Sequence, residues 1–181
     1  MLAYVFWHRP TAETDSALYE RALAEFHRAL AVAPPPGFQR SWAFQLAEVP
    51  WLGGPGYEDW YLVDGFAALG ELNEAAVSAS RKAPHDAVAR LAADGTAGVY
   101  RLVAGEPNPG APRAAWLSKP ARKTYPAFLA EIGALGTAAW QRQMTLGPTP
   151  EFCVHEPVSR EAATMILEIS PLRIPRAKRG G

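Results

Sequence analysis

The chain is short of the features that most readily announce a function. Its only cysteine, Cys153, excludes an internal disulfide and leaves the redox compartment open. It has no excess charge: 18 Lys and Arg stand against 18 Asp and Glu, so no global field draws it to nucleic acid or to an anionic membrane. No uninterrupted apolar run approaches the roughly 18 residues that a membrane-spanning helix needs. The apolar start, residues 1–7, has neither the basic lead nor the length of a signal segment. The expectation is a cytoplasmic protein with neither nucleic acid nor membrane as partner. A phosphate-binding glycine loop, a His-Glu-x-x-His helix and a Gly-x-Ser-x-Gly elbow are also missing. Cys153 and His155 share a strand face at i, i+2, but one thiolate does not furnish a four-ligand zinc site, and no metal is expected.

What is present is an echo. Trp42, Gln45 and Pro50 recur at identical spacing as Trp140, Gln143 and Pro148. Upstream of each lies a second pair, residues 6–10 against 116–120, both ending in a basic residue and proline. Downstream comes a third, residues 59–64 against 151–156. Three weak matches in one order point to an internal duplication. A length of 181 residues, 49% apolar and 20% charged, suits one globular domain or two small ones sharing a core.

Local patterns supply the elements. Residues 2–9 are apolar, aromatic and β-branched and are stopped by Pro10, which predicts a strand. Thr11 or Thr14 can cap a helix whose stripe is Leu18, Ala22, Phe26 and Leu30, ended by Pro34, Pro35 and Pro36. Strands are expected at 38–48 and 57–63, a helix at 66–80 restarting around Pro84 to residue 93, and a strand at 98–104. The second half repeats the order in shortened form. Strands are expected at 114–119, 138–146 and 151–155, with helices at 125–135 and from Ser159 to about 167. Residues 172–175 could form a closing edge strand. The basic stretch from Arg173 to Arg179 reads as a solvated tail.

This β-α-β-β-α-β order, met twice, is the ferredoxin-like pattern. The arrangement resembles the dimeric α+β barrel superfamily, in particular members that fuse two ferredoxin-like units in one chain. It implies an α+β fold with two such repeats packed sheet to sheet as a barrel. The first unit would span residues 1–106, a linker 107–113, the shortened second unit 114–176 and the tail 177–181. Members of that superfamily include cofactor-free monooxygenases and haem proteins resembling chlorite dismutases. Haem would need a proximal histidine in the second unit, which offers only His155 on an expected strand. No cofactor is therefore expected, with haem the minor alternative. An exposed edge strand in either unit would favour a homodimer.

Several residues could carry chemistry. Arg9 and Lys119 precede prolines and face Glu58 or Asp59 and Glu151 as expected rim ion pairs. Gln45 and Gln143 point away from Trp42 and Trp140, so either the amide face or the indole face looks into the barrel. Arg142, with Tyr61, Tyr100 and Arg101, is the candidate cation and polar set for orienting a substrate. His8, at the end of a strand, is the candidate acid or base, because imidazole titrates near neutrality. His27 and His85 are expected on exposed helix faces. Together these residues point to an aromatic-lined central cavity that binds a small apolar or aromatic molecule. Cofactor-independent oxygenation or isomerisation, non-catalytic binding and a purely structural interaction module all remain open, as does whether the protein is an enzyme.

Overall fold

A computed structural model describes residues 1–108, 110–134, 138–144, 147–155 and 165–174. The chain begins with strand β1 (Leu2–Pro10). Helix α1 (Ser16–Val32) follows, its first turn capped by Asp15, whose side chain accepts from the Leu18 N–H. The proline run then forbids continuation. Strands β2 (Phe38–Val49) and β3 (Gly54–Val63) form an antiparallel hairpin. Helices α2 (Phe66–Ala76) and α3 (Ala79–Ala89) come next, the latter tolerating Pro84 in its interior. Strand β4 (Ala92–Gly105) starts six residues earlier than its apolar stretch suggests. The second half supplies β5 (Arg113–Leu117), α4 (Tyr125–Gly133), β6 (Ala138–Arg142), β7 (Phe152–His155) and β8 (Met165–Pro171). Thr124 caps α4 through the Ala127 N–H.

The strands close into one antiparallel barrel in the order β1-β3-β2-β8-β5-β7-β6-β4. This corrects the expectation of two ferredoxin-like α+β units facing each other as separate sheets. The seams between the halves are hydrogen-bonded: β2 pairs with β8 through Gln45↔Ser170, and β4 with β6 through Arg101↔Gln141. A sheet that ends in unpaired N–H and C=O groups gains by joining another edge, and closure satisfies both edges at once. The edge-strand reason for a homodimer disappears with it, since every strand of the described barrel has two neighbours. Residues 165–167, expected at the end of a helix, open strand β8 instead, and the expected closing strand at 172–175 lies beyond it. The rest of that helix and the basic tail fall outside the described residues. Among the described residues, no helix is long and apolar enough to cross a membrane.

Side chains alternate between the two faces of this wall. Trp7, Phe44, Trp60, Tyr100, Trp116 and Trp140 fill the inside, each fully buried. Their indoles meet edge-on or tilted, as at Trp60–Trp140 (5.2 Å) and Trp7–Trp116 (5.7 Å). Glu58 sits among them and accepts from Trp7 Nε1 and Trp60 Nε1 at 2.6 Å each. Outside, α1, α2 and α3 cover the first-half strands, while α4 packs Phe128 and Ile132 against the second. Strand β3 is therefore buried on both faces, without a break from Gly56 to Val63.

Candidate functional site

The helical layer over the first half does not close completely. Between it and the outer face of β1, β3 and β4 lies a cavity of about 680 Å³, within the range of small-molecule sites. Its floor is an aromatic ladder on β1. Tyr4 and Phe6 stack at 6.3 Å, and Phe6 and His8 at 4.8 Å. Gly95, across on β4, permits this: a Cβ there would lie 2.6 Å from the Phe6 ring. Leu23 and Phe26 of α1 form one wall. Phe66, Leu69 and Val77 from α2 and its end, with His85 and Val88 of α3, form the cover.

One polar cluster interrupts this apolar surface, and Asp59 is its centre. The alternation of β3 sends Glu58 into the barrel and Asp59 into the cavity wall. Oδ2 of Asp59 accepts from Tyr61 Oη at 2.9 Å. The same oxygen lies 3.1 Å from His8 Nε2 and 3.4 Å from His27 Nε2. Neither imidazole contact has the geometry of a hydrogen bond, so both are close electrostatic approaches. Each imidazole is held from its far side: His8 Nδ1 by Tyr19 Oη at 2.5 Å, and His27 Nδ1 by Ser41 Oγ at 2.7 Å. The His27 ring also stacks on Tyr61 at 5.1 Å, nearly parallel. Asp59 Oδ1 is buried and has no hydrogen-bond partner among the described residues.

Electrostatics follow from this crowding. Burial pushes the Asp59 carboxyl up, but the His8 and His27 imidazoles outweigh it and hold the group well below the usual carboxylate range. Two Nε2 lone pairs cannot both face one carboxylate oxygen at these distances, so at least one Nε2 carries a proton. Burial, and then the Asp59 charge, raises the Tyr19 phenol and holds Tyr61 well above its ordinary value. Both phenols stay protonated as donors. The cluster thus keeps one carboxylate charged beneath an apolar space.

The residues expected from sequence divide between this site and elsewhere. His8 and Tyr61 meet at Asp59. Trp42, Trp140 and Tyr100 belong to the barrel interior, where the first two flank Trp60. The indole face is therefore the inner one. It is packed with side chains, so the cavity lies outside the barrel instead of along its axis. Gln45 is exposed on β2. Gln143 follows β6, its Nε2 donating to the Gln141 carbonyl. Strands β2 and β6 stand four positions apart in the barrel order, so the two amides do not converge. Arg142 spends its Nη1 on the carbonyls of Gly147 and Thr149, fastening the segment that also bonds Tyr100 Oη through Thr149. Arg101 is exposed. The rim pairs differ too. Arg9 pairs with Asp94, its partner across β4, while Lys119 caps carbonyls of its own loop.

Three members of the cluster escaped the sequence reading: Asp59, His27 and Tyr19. The buried face of α1 is Tyr19, Leu23, Phe26, His27 and Leu30, one position round from the expected stripe, whose Leu18 is 44% exposed. His27 stands four residues after Leu23, on the buried stripe, and is itself buried. For Asp59 the signal was two adjacent acids inside a strand of aromatics, which only a strand covered on both sides would bury. Among the described residues, no three His, Cys, Asp or Glu side chains gather as a metal site. His155 and Cys153 point into the packed barrel interior, where burial lowers the imidazole to about 4 and pushes the thiol well up. No protein-family model matches the chain, and no curated protein matches it in sequence.

Proposed function

We propose that the cavity is an acid–base site for a small, largely apolar molecule bearing one weakly acidic hydrogen, with chemistry of the cofactor-independent oxygenase or isomerase kind. The observation that carries this reading is Asp59, a residue of the apolar cavity's lining whose Oδ1 is buried and has no hydrogen-bond partner among the described residues. An unpaired buried acceptor is costly unless a ligand supplies the donor. A flat ring carrying a hydroxyl or an acidic C–H fits the ladder of Tyr4 and Phe6 while presenting its hydrogen to Asp59.

The step itself is a proton transfer. The ligand's O–H or C–H bond breaks and its electron pair stays on the ligand as an oxyanion or carbanion. Oδ1 of Asp59 takes the proton, and because Asp59 is too weak a base to keep it, the carboxyl turns about Cβ–Cγ and yields it to whichever of His8 and His27 has an unprotonated Nε2. Tyr19 and Tyr61 stay protonated, their hydroxyls held by His8 and Asp59. Returning the proton to a different atom isomerises the ligand, whereas an electron-rich anion of this kind is also what dioxygen can oxidise without a cofactor.

Naphthalen-2-ol tests the site, since its emission reports its own ionisation. The parent protein should take it up saturably and, on excitation, accept its proton within the emission lifetime. Asp59→Asn, nearly the same shape, should keep the uptake and slow that transfer by about a hundredfold, the usual scale of a lost general base. Absence of saturable uptake, or an equal transfer rate in the variant, would overturn the assignment.

A further inference from the structure

We propose that His27 and Ser41 form a proton exit, carrying a proton from Asp59 at the cavity wall through the helix–sheet layer to solvent beside β2; this rests on the acid–base reading above. The two imidazoles on Asp59 look alike but lead to different places. His8 is tied to Tyr19, and both line the cavity, so a proton moving along that branch returns to where the ligand sits. His27 stands behind Asp59, 1% exposed, and its far nitrogen reaches Ser41 Oγ at 2.7 Å. Ser41 is only half-buried. Strand β2 lies beside β3, with Ser41 directly opposite Tyr61. The branch therefore crosses to the neighbouring strand and ends at a half-buried residue.

A site of this kind needs such a route. A ligand that fills the cavity displaces the water that would otherwise remove the proton, and a proton left beside the new anion recombines with it. The groups facing His27 are suited to pass the proton on. With the Nε2 proton of the pair on His8, His27 Nε2 is open to Asp59, 3.4 Å away, and that approach closes to a hydrogen bond as the proton crosses; Ser41 accepts at Nδ1, and Tyr61, stacked on the ring and bonded to the same carboxylate oxygen, holds the imidazole plane. In the transfer His27 gains a proton on Nε2 and releases the one on Nδ1. Ser41 Oγ takes that proton and yields its own hydroxyl proton to water. No electrons leave the chain of groups. His27 ends neutral in the other tautomer, and the reverse transfer on reprotonation restores it.

Naphthalen-2-ol in its excited state is a strong acid, so a light pulse releases its proton inside the cavity. Time-resolved emission then separates naphtholate that recaptures the proton from naphtholate whose proton has escaped. In the parent protein the long-lived naphtholate fraction should be high. Ser41→Val fills the hydroxyl's place with a methyl, leaving no room for a substitute water, and should lower that fraction several-fold without changing probe affinity. Ser41→Thr, which keeps the hydroxyl, should restore it, a recovery that a packing role for Ser41 would not produce. His27→Gln should match Ser41→Val. An unchanged escape fraction in Ser41→Val overturns the exit while leaving the site intact. Failure of the parent to form naphtholate at all would instead overturn the acid–base reading, and the exit with it.

Discussion

Glu58 and Asp59 are consecutive on β3, so alternation places one in the barrel core and the other at the cavity. Burial raises the Glu58 carboxyl to about 7, against the pull of its two indole donors. Its folded form binds a proton more tightly than the unfolded chain does. The stability it contributes is full below its ordinary value of 4.5 and is lost as pH rises towards 7. His155 runs the other way: lowered from 6.5 to about 4, it contributes stability that is full above 6.5 and lost as pH falls. Across the shared window the two slopes oppose each other. Glu58→Gln removes one of them, so urea midpoints should rise with pH, by about 1.4 kcal/mol of stability per unit, while the parent stays nearly flat. A variant as flat as the parent would show that Glu58 does not titrate in this range. His8 was legible as the acid–base candidate because a lone imidazole near the end of an apolar strand is conspicuous. Its carboxylate partner was not, since strand register alone decides that Phe6, and not Arg9, faces Asp59 across β1 and β3.

Among the elements, α2 and α3 differ from the rest in how they are fastened. The residues before them, Gly65 and Ser78, make no side-chain cap, whereas Asp15 and Thr124 cap α1 and α4. Buried positions are few on both, Ala68 and Leu72 on α2 and Val88 on α3, because the face they turn inward borders the cavity. Amides of α2 and α3 should therefore exchange with deuterium faster than those of α1 and β3, and bound naphthalen-2-ol should slow them. Equal protection with and without the probe would mean that the cover does not respond to occupancy. The helices themselves were readable from apolar spacing and proline positions, as were the first strand from its aromatic and β-branched run and the second from alternation. The cavity was not. It arises from what the helices fail to touch, and periodicity along one element says which side is apolar without saying what meets it.

For the whole molecule, closure is the decisive fact. Leu167 and Ile169 of β8 enter the barrel core and bridge β2 to β5. Deleting the chain from residue 165 onwards should unzip that seam, leave two unpaired edges and give a soluble-expression loss with aggregation on concentration. A truncated chain that stays monomeric with parent near-ultraviolet dichroism would show that β8 is dispensable. The sequence echo foreshadowed part of this architecture: Trp42 and Trp140 both turn inward. Its other two members slipped by one, since Trp116 and Trp60 are inside while their counterparts Phe6 and Phe152 are outside, and with a period of two a single step exchanges faces. How the two halves join lay beyond the sequence reading, because one seam depends on pairings more than a hundred residues apart, such as Gln45 with Ser170.

The division between a rigid floor and a lightly anchored cover sets where this protein can change. Floor residues such as Asp59 and Tyr61 are shared with the wall of the barrel, and altering them risks the fold. Phe66, Asn73 and Val77 border the same cavity from exposed positions and support little else. Randomising these three would explore new ligand preferences at small cost in folded yield, which makes the scaffold a natural starting point for directed evolution of binding.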